Sequence, residues 1–384
     1  AHRNESTGGC AADRPRRRSA SVGKSATWHG RRSAHFAPSP RPPMSPHPSS
    51  CAALLSDPRH VRKLSTGCAV LDGCLGGGID ARGITEIAGA AGAGKTQLAL
   101  QLMLQALLPP ARGGLGGGSV FLHSDSPTYH APVERLKQLA AHFSRRHAAL
   151  GANEDACMQH IHCCSAREPL DTHVPHRALR LAPHTIPPSR LQVRSADQLG
   201  DLLQSRVPEL LGAKSVRLVV LDSIAALFRA TGREDDPRER TPALFAYAAR
   251  LKQLSETFNV AVVVTNQMSD KPLDALDATS GLGGLSPAEC RAYVHERGLT
   301  VPALGLAWSA CANARIVLTR RETGAPLARQ PADDGAAPPS AERCLHLVTS
   351  PRAAGAYVPF VVREDGVAGL AGGHVDVSRL VHAH

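Results

Sequence analysis

From Leu64 onward, short apolar runs alternate with segments of helical spacing. Gly83 to Ala88 reads as a strand. Gln97 to Leu108 is rich in Leu, Ala and Gln and reads as a helix, stopped by Pro109-Pro110. Ser119 to His123 is the next strand, and Val133 to Phe143 has helical spacing. Val216 to Leu221 and Val260 to Thr265 are unbroken β-branched runs of the kind buried on both faces of a sheet. Arg250 to Phe258 leads helically into the second of these. Ala314 to Thr319 and Cys344 to Thr349 read as later strands, with an antiparallel arrangement left open. The alternation predicts an α/β fold with a mostly parallel twisted sheet flanked by helices.

Two stretches interrupt the pattern. Ser165 to Arg190 holds five prolines and three histidines without a period, and reads as an insertion loop or a retained non-coding segment. Lys271 to Gly298 is rich in Gly, Asp and Ala and follows a strand directly, a place where long loops carry function. The predicted organisation is a tail over 1–63, one domain over 64–372 and a short C-terminal tail over 373–384. Within the domain, 165–190 is the insertion and 269–300 a flexible loop.

Charge changes the picture less than its total suggests. The 384 residues carry 44 Lys+Arg against 33 Asp+Glu, a net of +11, but residues 1–63 alone hold +9 and the rest only +2. That tail has no acid between Asp13 and Asp57, and six prolines between Pro38 and Pro48. It cannot bury enough surface to offset its chain entropy, so disorder is expected. An organellar transit peptide, a phosphate-touching arm and an extension upstream of an internal start at Met44 all remain open for it. Aromatics are 3%, too few for a single-strand binder built on stacking platforms. No apolar run reaches membrane-helix length, so no membrane partner is expected. The ten irregularly spaced Cys read as reduced thiols.

The chemistry concentrates in Gly89-Ala90-Ala91-Gly92-Ala93-Gly94-Lys95-Thr96. This matches G-x-x-x-x-G-K-[ST] between a strand and a helix, the context a phosphate loop needs. Glycines let backbone N–H groups turn inward around phosphate oxygens, and the helix adds its positive end. Lys95 is expected to reach the β- and γ-phosphates of ATP, and Thr96 to ligate Mg²⁺. A second Mg²⁺-side acid is expected at Asp222, which ends the buried run Leu218 to Leu221. Asp125 ends the run Val120-Phe121-Leu122-His123-Ser124-Asp125, and either activates water or caps a turn at Ser126-Pro127. Gln267 follows Thr265-Asn266 and is either a γ-phosphate sensor or a polar strand terminus.

These motifs occur in a telling order: Leu64-Ser65-Thr66-Gly67-Cys68, Leu71-Asp72, Gly83-Ile84-Thr85-Glu86, the phosphate loop with Gln97-Leu98-Ala99, Val133-Glu134-Arg135-Leu136, Asp222-Ser223-Ile224 and Val263-Val264-Thr265-Asn266-Gln267. The chain resembles the RecA-like recombinase family, and within it the eukaryotic paralogues that assist the strand-exchange enzyme in homologous recombination. The resemblance implies a RecA-type P-loop ATPase core with ATP and Mg²⁺ at a subunit interface, in a hetero-oligomer with other paralogues and the recombinase. It implies nuclear double-strand break repair and a role as an ATP-dependent DNA damage sensor; an organelle is the alternative location if the 1–63 tail is a transit peptide. It adds Gln97 and Arg135 to the nucleotide site, Arg135 as the adenine-stacking cation. It places DNA-facing loops after Arg229 and after Met268, whose basic residues Arg229, Arg233, Arg238, Arg240, Lys271, Arg291 and Arg297 are mixed with acids. Weak DNA binding by the chain alone is therefore expected.

The sequence also departs from the family. Asp125 stands where the family has a glutamate, so slow hydrolysis is expected. The usual helical N-terminal domain is not recognisable before Leu64. An autonomous DNA-stimulated ATPase, or a RecA-fold scaffold without a DNA role, remains an alternative. Cys157, His160, His162, Cys163 and Cys164 cluster without a paired C-x₂-C spacing, which argues against a metal. Phe245-Ala246-Tyr247-Ala248 resembles a polymerisation hook but falls inside a predicted helix, where an apolar face explains it as well.

Overall fold

The computed structural model describes Ser50 and residues 62–124, 132–164, 196–229, 237–272, 286–295, 298–322, 341–371 and 375–376. Most of the 1–63 tail, the 165–190 insertion and Asp125 lie outside the described residues. Every described helix and strand belongs to one unit, Cys51–His384.

A short antiparallel pair, β1 (Lys63–Leu64) and β2 (Ile79–Asp80), brackets α1 (Ala69–Cys74). Then β3 (Ile84–Gly89) feeds α2 (Lys95–Gln105), and β4 (Gly118–His123) precedes α3 (Val133–Arg146) and α4 (Glu154–Gln159). Next come β5 (Ile161–Cys164), α5 (Ala196–Gln204), α6 (Arg206–Ala213), β6 (Val216–Asp222), α7 (Ile224–Arg229), α8 (Pro237–Phe258) and β7 (Ala261–Asn266). The segment β8 (Met268–Pro272), α9 (Pro287–Tyr293), β9 (Val294–His295), β10 (Gly298–Pro302) and α10 (Gly305–Ser309) comes after them. The chain closes with β11 (Ala314–Glu322), β12 (Ala341–Thr349), β13 (Ala356–Arg363), β14 (Gly366–Gly369) and β15 (Val375–Asp376).

The main sheet runs β14-β13-β12-β11-β3-β7-β6-β4-β5, with β15 also on β13. From β11 to β5 every pairing is parallel, and from β11 outward through β12, β13 and β14 every pairing is antiparallel. The parallel part follows from sequence: β3, β4 and β7 are buried at every position, which only a strand covered on both faces tolerates. Alternate residues serve opposite layers. Phe121, Val220 and Val263 face α2 and α3 through Leu98, Leu102, Leu136 and Phe143. Val120, Leu122, Val219 and Val262 face α5, α6 and α8 through Leu199, Leu203, Val207, Leu244 and Leu251, with Trp308 fully buried among them. Each such side chain contributes about 1.5–3 kcal/mol relative to exposure.

Within 269–300, which composition reads as a loop, the described residues carry regular structure. β8, β10 and β9 form a separate three-stranded antiparallel sheet, and α9 packs with them over Ala88, Val317 and Val348 of the main sheet. A capping box starts α9: Ser286 Oγ accepts from Glu289 N at 3.3 Å, and Ser286 N donates to Glu289 Oε2 at 2.8 Å. Its sequence signature is Ser286-Pro287-Ala288-Glu289, masked by the glycines and aspartates around it.

Candidate functional site

The carboxyl ends of β3, β7, β6 and β4 lie side by side, so Gly89, Gln267, Asp222 and Ser124 share one edge of the sheet. Open α/β sheets bind their ligands at that edge. The phosphate loop leaves it after Gly89 and turns through Gly92 at φ 71° and Gly94 at φ 110°, a conformation that disfavours any side chain. Ala93 anchors the loop in the core, while Ala90, Ala91 and Gly92 are exposed. α2 starts at Lys95 with no side-chain cap on its first N–H groups, which suits an anion. Lys95 Nζ donates to Gly89 O at 2.7 Å and Ala90 O at 2.9 Å, lying along its own loop.

Thr96 Oγ1 donates to Asp222 Oδ2 at 2.7 Å. Thr265 Oγ1 donates to the other carboxylate oxygen, Asp222 Oδ1. Asp222 is buried, so its charge is directed by these two hydroxyls. A hydroxyl and a carboxylate oxygen in contact are the hard donors Mg²⁺ takes. The donor chemistry, together with the glycine cradle, fits a Mg²⁺–nucleoside phosphate.

Ser124 lashes the end of β4 to the end of β6. Its Oγ donates to Ser223 O at 2.6 Å and accepts from Ser223 N at 2.7 Å, while Ser124 N donates to Asp222 O at 2.8 Å. Asp125 itself is outside the described residues, but the strand end that precedes it is tied beside Asp222. Gln267 lies between β7 and β8, half-buried, and its carbonyl accepts from Ala303 N at 2.8 Å.

Gln97 and Arg135, both expected at the nucleotide, contact each other: Arg135 Nε donates to Gln97 Oε1 at 2.7 Å. The Arg135 fork also donates to Arg363 O at 2.6 Å, at the end of β13, and to Glu364 O at 2.9 Å, in the turn that follows. Bonds along its edge fix the guanidinium and leave a flat face, the part a base would stack on.

Sequence reasoning missed two neighbours. Thr265 reads in the sequence only as part of a strand. Arg320, exposed on β11, has Nη1 2.6 Å from where a Cβ on Gly92 would stand, so it flanks the phosphate loop. The pair Arg320-Arg321 ending an apolar strand is its only signal. Conversely, Ser65-Thr66-Gly67 and Asp72 form a structural latch. Asp72 accepts from Thr66 N at 2.7 Å, Thr66 Oγ1 at 2.8 Å and Ser65 Oγ at 2.5 Å. Of the basic residues assigned to DNA-facing loops, Arg240 donates to Ala303 O at 2.7 Å and Arg291 lies 5.8 Å over the Tyr357 ring. Arg233 and Arg297 lie outside the described residues.

Comparison with known proteins agrees with this layout. The Rad51 family profile matches residues 58–168 and 191–282, leaving out most of the 165–190 stretch. A DNA repair protein XRCC3 homolog of Arabidopsis thaliana is 35% identical over 317 residues, 80% of this chain and 92% of the relative. The DNA repair protein XRCC3 of Bos taurus is 31% identical over 82% of this chain and 77% of its own length. The DNA repair and recombination protein RadA of Metallosphaera sedula is 33% identical over 58% of each chain. With the RecA-type sheet, the loop at its carboxyl edge and these matches in hand, the chain belongs to the Rad51 family of RecA-like proteins, as an XRCC3-like member.

Proposed function

We propose that this chain binds ATP with Mg²⁺ and acts as a recombination paralogue in the repair of DNA double-strand breaks. It works in the nucleus, within a hetero-oligomer of RecA-like paralogues and the strand-exchange recombinase, as an ATP-dependent DNA damage sensor. The observation that carries the nucleotide reading is the 2.7 Å contact of Thr96 Oγ1 with Asp222 Oδ2 beneath the glycine cradle. The names of the relatives, DNA repair proteins in both plant and cattle, carry the repair reading.

The chain's own residues divide the work. Lys95 exchanges its two loop carbonyls for phosphate oxygens. Gly89 to Gly94 supply backbone N–H donors, Thr96 and Asp222 hold the cation, and Arg135 with Gln97 covers the base side. When bound, Mg²⁺ neutralises phosphate charge. Gln267 registers the γ-phosphate, and Asp125 orients water. One methylene short of the family's glutamate, Asp125 makes turnover slow, so nucleotide acts mainly on assembly. With a near-neutral core and few unmixed cations, the chain leans on its partners for DNA.

Titrating the purified chain with a fluorescent ATP analogue, with Mg²⁺ or with chelator, tests the nucleotide reading. Lys95→Ala is expected to weaken binding by about tenfold or more, as loss of a charge-assisted contact does. Equal affinity in the variant overturns the reading. For the repair role, cells lacking the chain should be sensitive to crosslinks and should not recover with Lys95→Ala. Normal crosslink resistance and normal recombination in such cells would sink it.

A further inference from the structure

Glu86 is a fully buried carboxylate in the middle of the parallel sheet. Its strand, β3, lies between β7 and β11, and Glu86 makes a bond to each. Glu86 Oε2 accepts from Arg315 Nε at 2.7 Å, from the residue directly opposite on β11. Glu86 Oε1 accepts from Asn266 Nδ2 at 2.7 Å, on β7. Asn266 and Arg315 are themselves buried. One carboxylate therefore ties three neighbouring strands at the seam between two apolar clusters, one holding Ile84 and Val264 and the other Ala88 and Val317.

Stability does not explain this arrangement. Desolvating a buried ion pair costs about what its attraction returns, and apolar residues of similar size serve as well or better. What the pair supplies is direction. Burial disfavours the charge on Arg315, but Glu86 and then Tyr293 of α9 more than restore it, so the guanidinium stays charged and holds the carboxylate in place. The carboxylate in turn fixes one amide. Asn266 Oδ1 has no hydrogen-bond partner among the described residues, so Glu86 alone sets which way the Asn266 side chain points.

Asn266 is the residue before Gln267. On the far side, Gln267 O is tied to Ala303 N at 2.8 Å. Gln267 is thus strung between two anchors, an amide pinned to Glu86 and a carbonyl pinned to Ala303. Three residues beyond Glu86 on the same strand is Gly89, where the phosphate loop begins. We infer that Glu86, held by Arg315, is a positioning residue that fixes Gln267 relative to the phosphate loop through Asn266. The inference rests on the reading of Gln267 as the γ-phosphate sensor. Glu86 touches no nucleotide itself, and its effect shows as discrimination between triphosphate and diphosphate.

The test is the ratio of affinities for a slowly hydrolysed ATP analogue and for ADP, each with Mg²⁺, measured on the full chain. Gln267→Ala should erase the preference for triphosphate. Should it keep that preference, the sensor reading fails and the inference with it. Glu86→Gln converts one acceptor into a donor facing either the guanidinium or the Asn266 amide. It should leave ADP affinity within about twofold of wild type and lower the triphosphate preference about tenfold, the scale of a sub-ångström misplacement. Combined with Gln267→Ala it should add nothing, because both act on one contact. Asn266→Ala leaves the ion pair intact and should give the same loss, so it decides the matter if Glu86→Gln does not fold. A merely structural role would lower thermal stability and leave the ratio unmoved. A wild-type ratio in both Glu86→Gln and Asn266→Ala, with Gln267→Ala impaired, overturns the inference and leaves the sensor reading standing.

Discussion

Thr96 Oγ1 donates to Asp222 Oδ2 at 2.7 Å, joining positions 126 residues apart across the edge of the sheet. The other oxygen of Asp222 is taken by Thr265, so the carboxylate is aimed before any ligand arrives. Asp222→Asn keeps the shape, removes the charge and turns a donor toward one of two hydroxyls. Leaving a buried polar group mispaired costs about 1–3 kcal/mol. The variant should fold with a lowered thermal midpoint and bind ATP equally in Mg²⁺ and in chelator. If Mg²⁺ still strengthens its nucleotide affinity as in wild type, Asp222 is not the cation-side acid.

Asp125 follows Ser124, whose hydroxyl is bonded in both directions to the Ser223 peptide groups. The strand end is thus fixed, and lengthening the side chain by one methylene changes reach without changing the anchor. Asp125→Glu should raise steady-state phosphate release by about tenfold to a hundredfold, since a displacement near 1 Å can cost a hundredfold. Unchanged turnover, with nucleotide affinity intact, would end the short-carboxylate account.

Much of this site is legible in the sequence because it is local. Gly89 to Thr96 lie in one run, and the strand before and helix after follow from β-branched and Leu/Ala/Gln patterning. Asp222 is legible because it ends a run buried on both faces. Thr265 and Arg320 are not, since each reaches the site across strands whose order no periodicity records. Glu86 belongs to a legible motif, but its bonds to Asn266 and Arg315 span 180 and 229 residues. The region after Met268 is obscured for a different reason. Its glycines and aspartates dominate any composition window, and the capping box at Ser286 and Glu289 is only four residues long.

Gln101 shows what a buried polar position of α2 does. Buried, it donates to Thr66 O at 2.6 Å and Val367 O at 3.1 Å, and accepts from Val367 N at 2.6 Å. It stitches the Ser65-Thr66 latch and β14 to the helix that starts at the phosphate loop. Gln101→Leu, nearly the same size, orphans three backbone groups at about 1–3 kcal/mol each. The denaturant midpoint should fall at an unchanged slope, corresponding to a loss of about 3 kcal/mol or more of unfolding free energy. A loss below about 0.5 kcal/mol, the range of neutral surface changes, would show that water replaces the amide.

His346 gives the fold a pH dependence of predictable sign. Buried on β12, it contacts Thr319 Oγ1 through Nε2 at 3.1 Å and stacks on Tyr357 at 5.9 Å. Burial, then the charges of Arg291 on α9 and Arg321 on β11, lower its pKa from 6.5 to about 4. The folded state therefore holds His346 neutral while the unfolded chain protonates it near 6.5. Stability from this group is fully present above pH 6.5, drains away as pH falls toward 4, and is constant below that. The full loss is about 3 kcal/mol. Urea midpoints of wild type and His346→Gln, taken every half unit, should converge over this window, because the variant has nothing to protonate there. Parallel curves for the two proteins between pH 6.5 and 4 would show that the imidazole titrates alike folded and unfolded, and that neither its burial nor the two arginines acts on it.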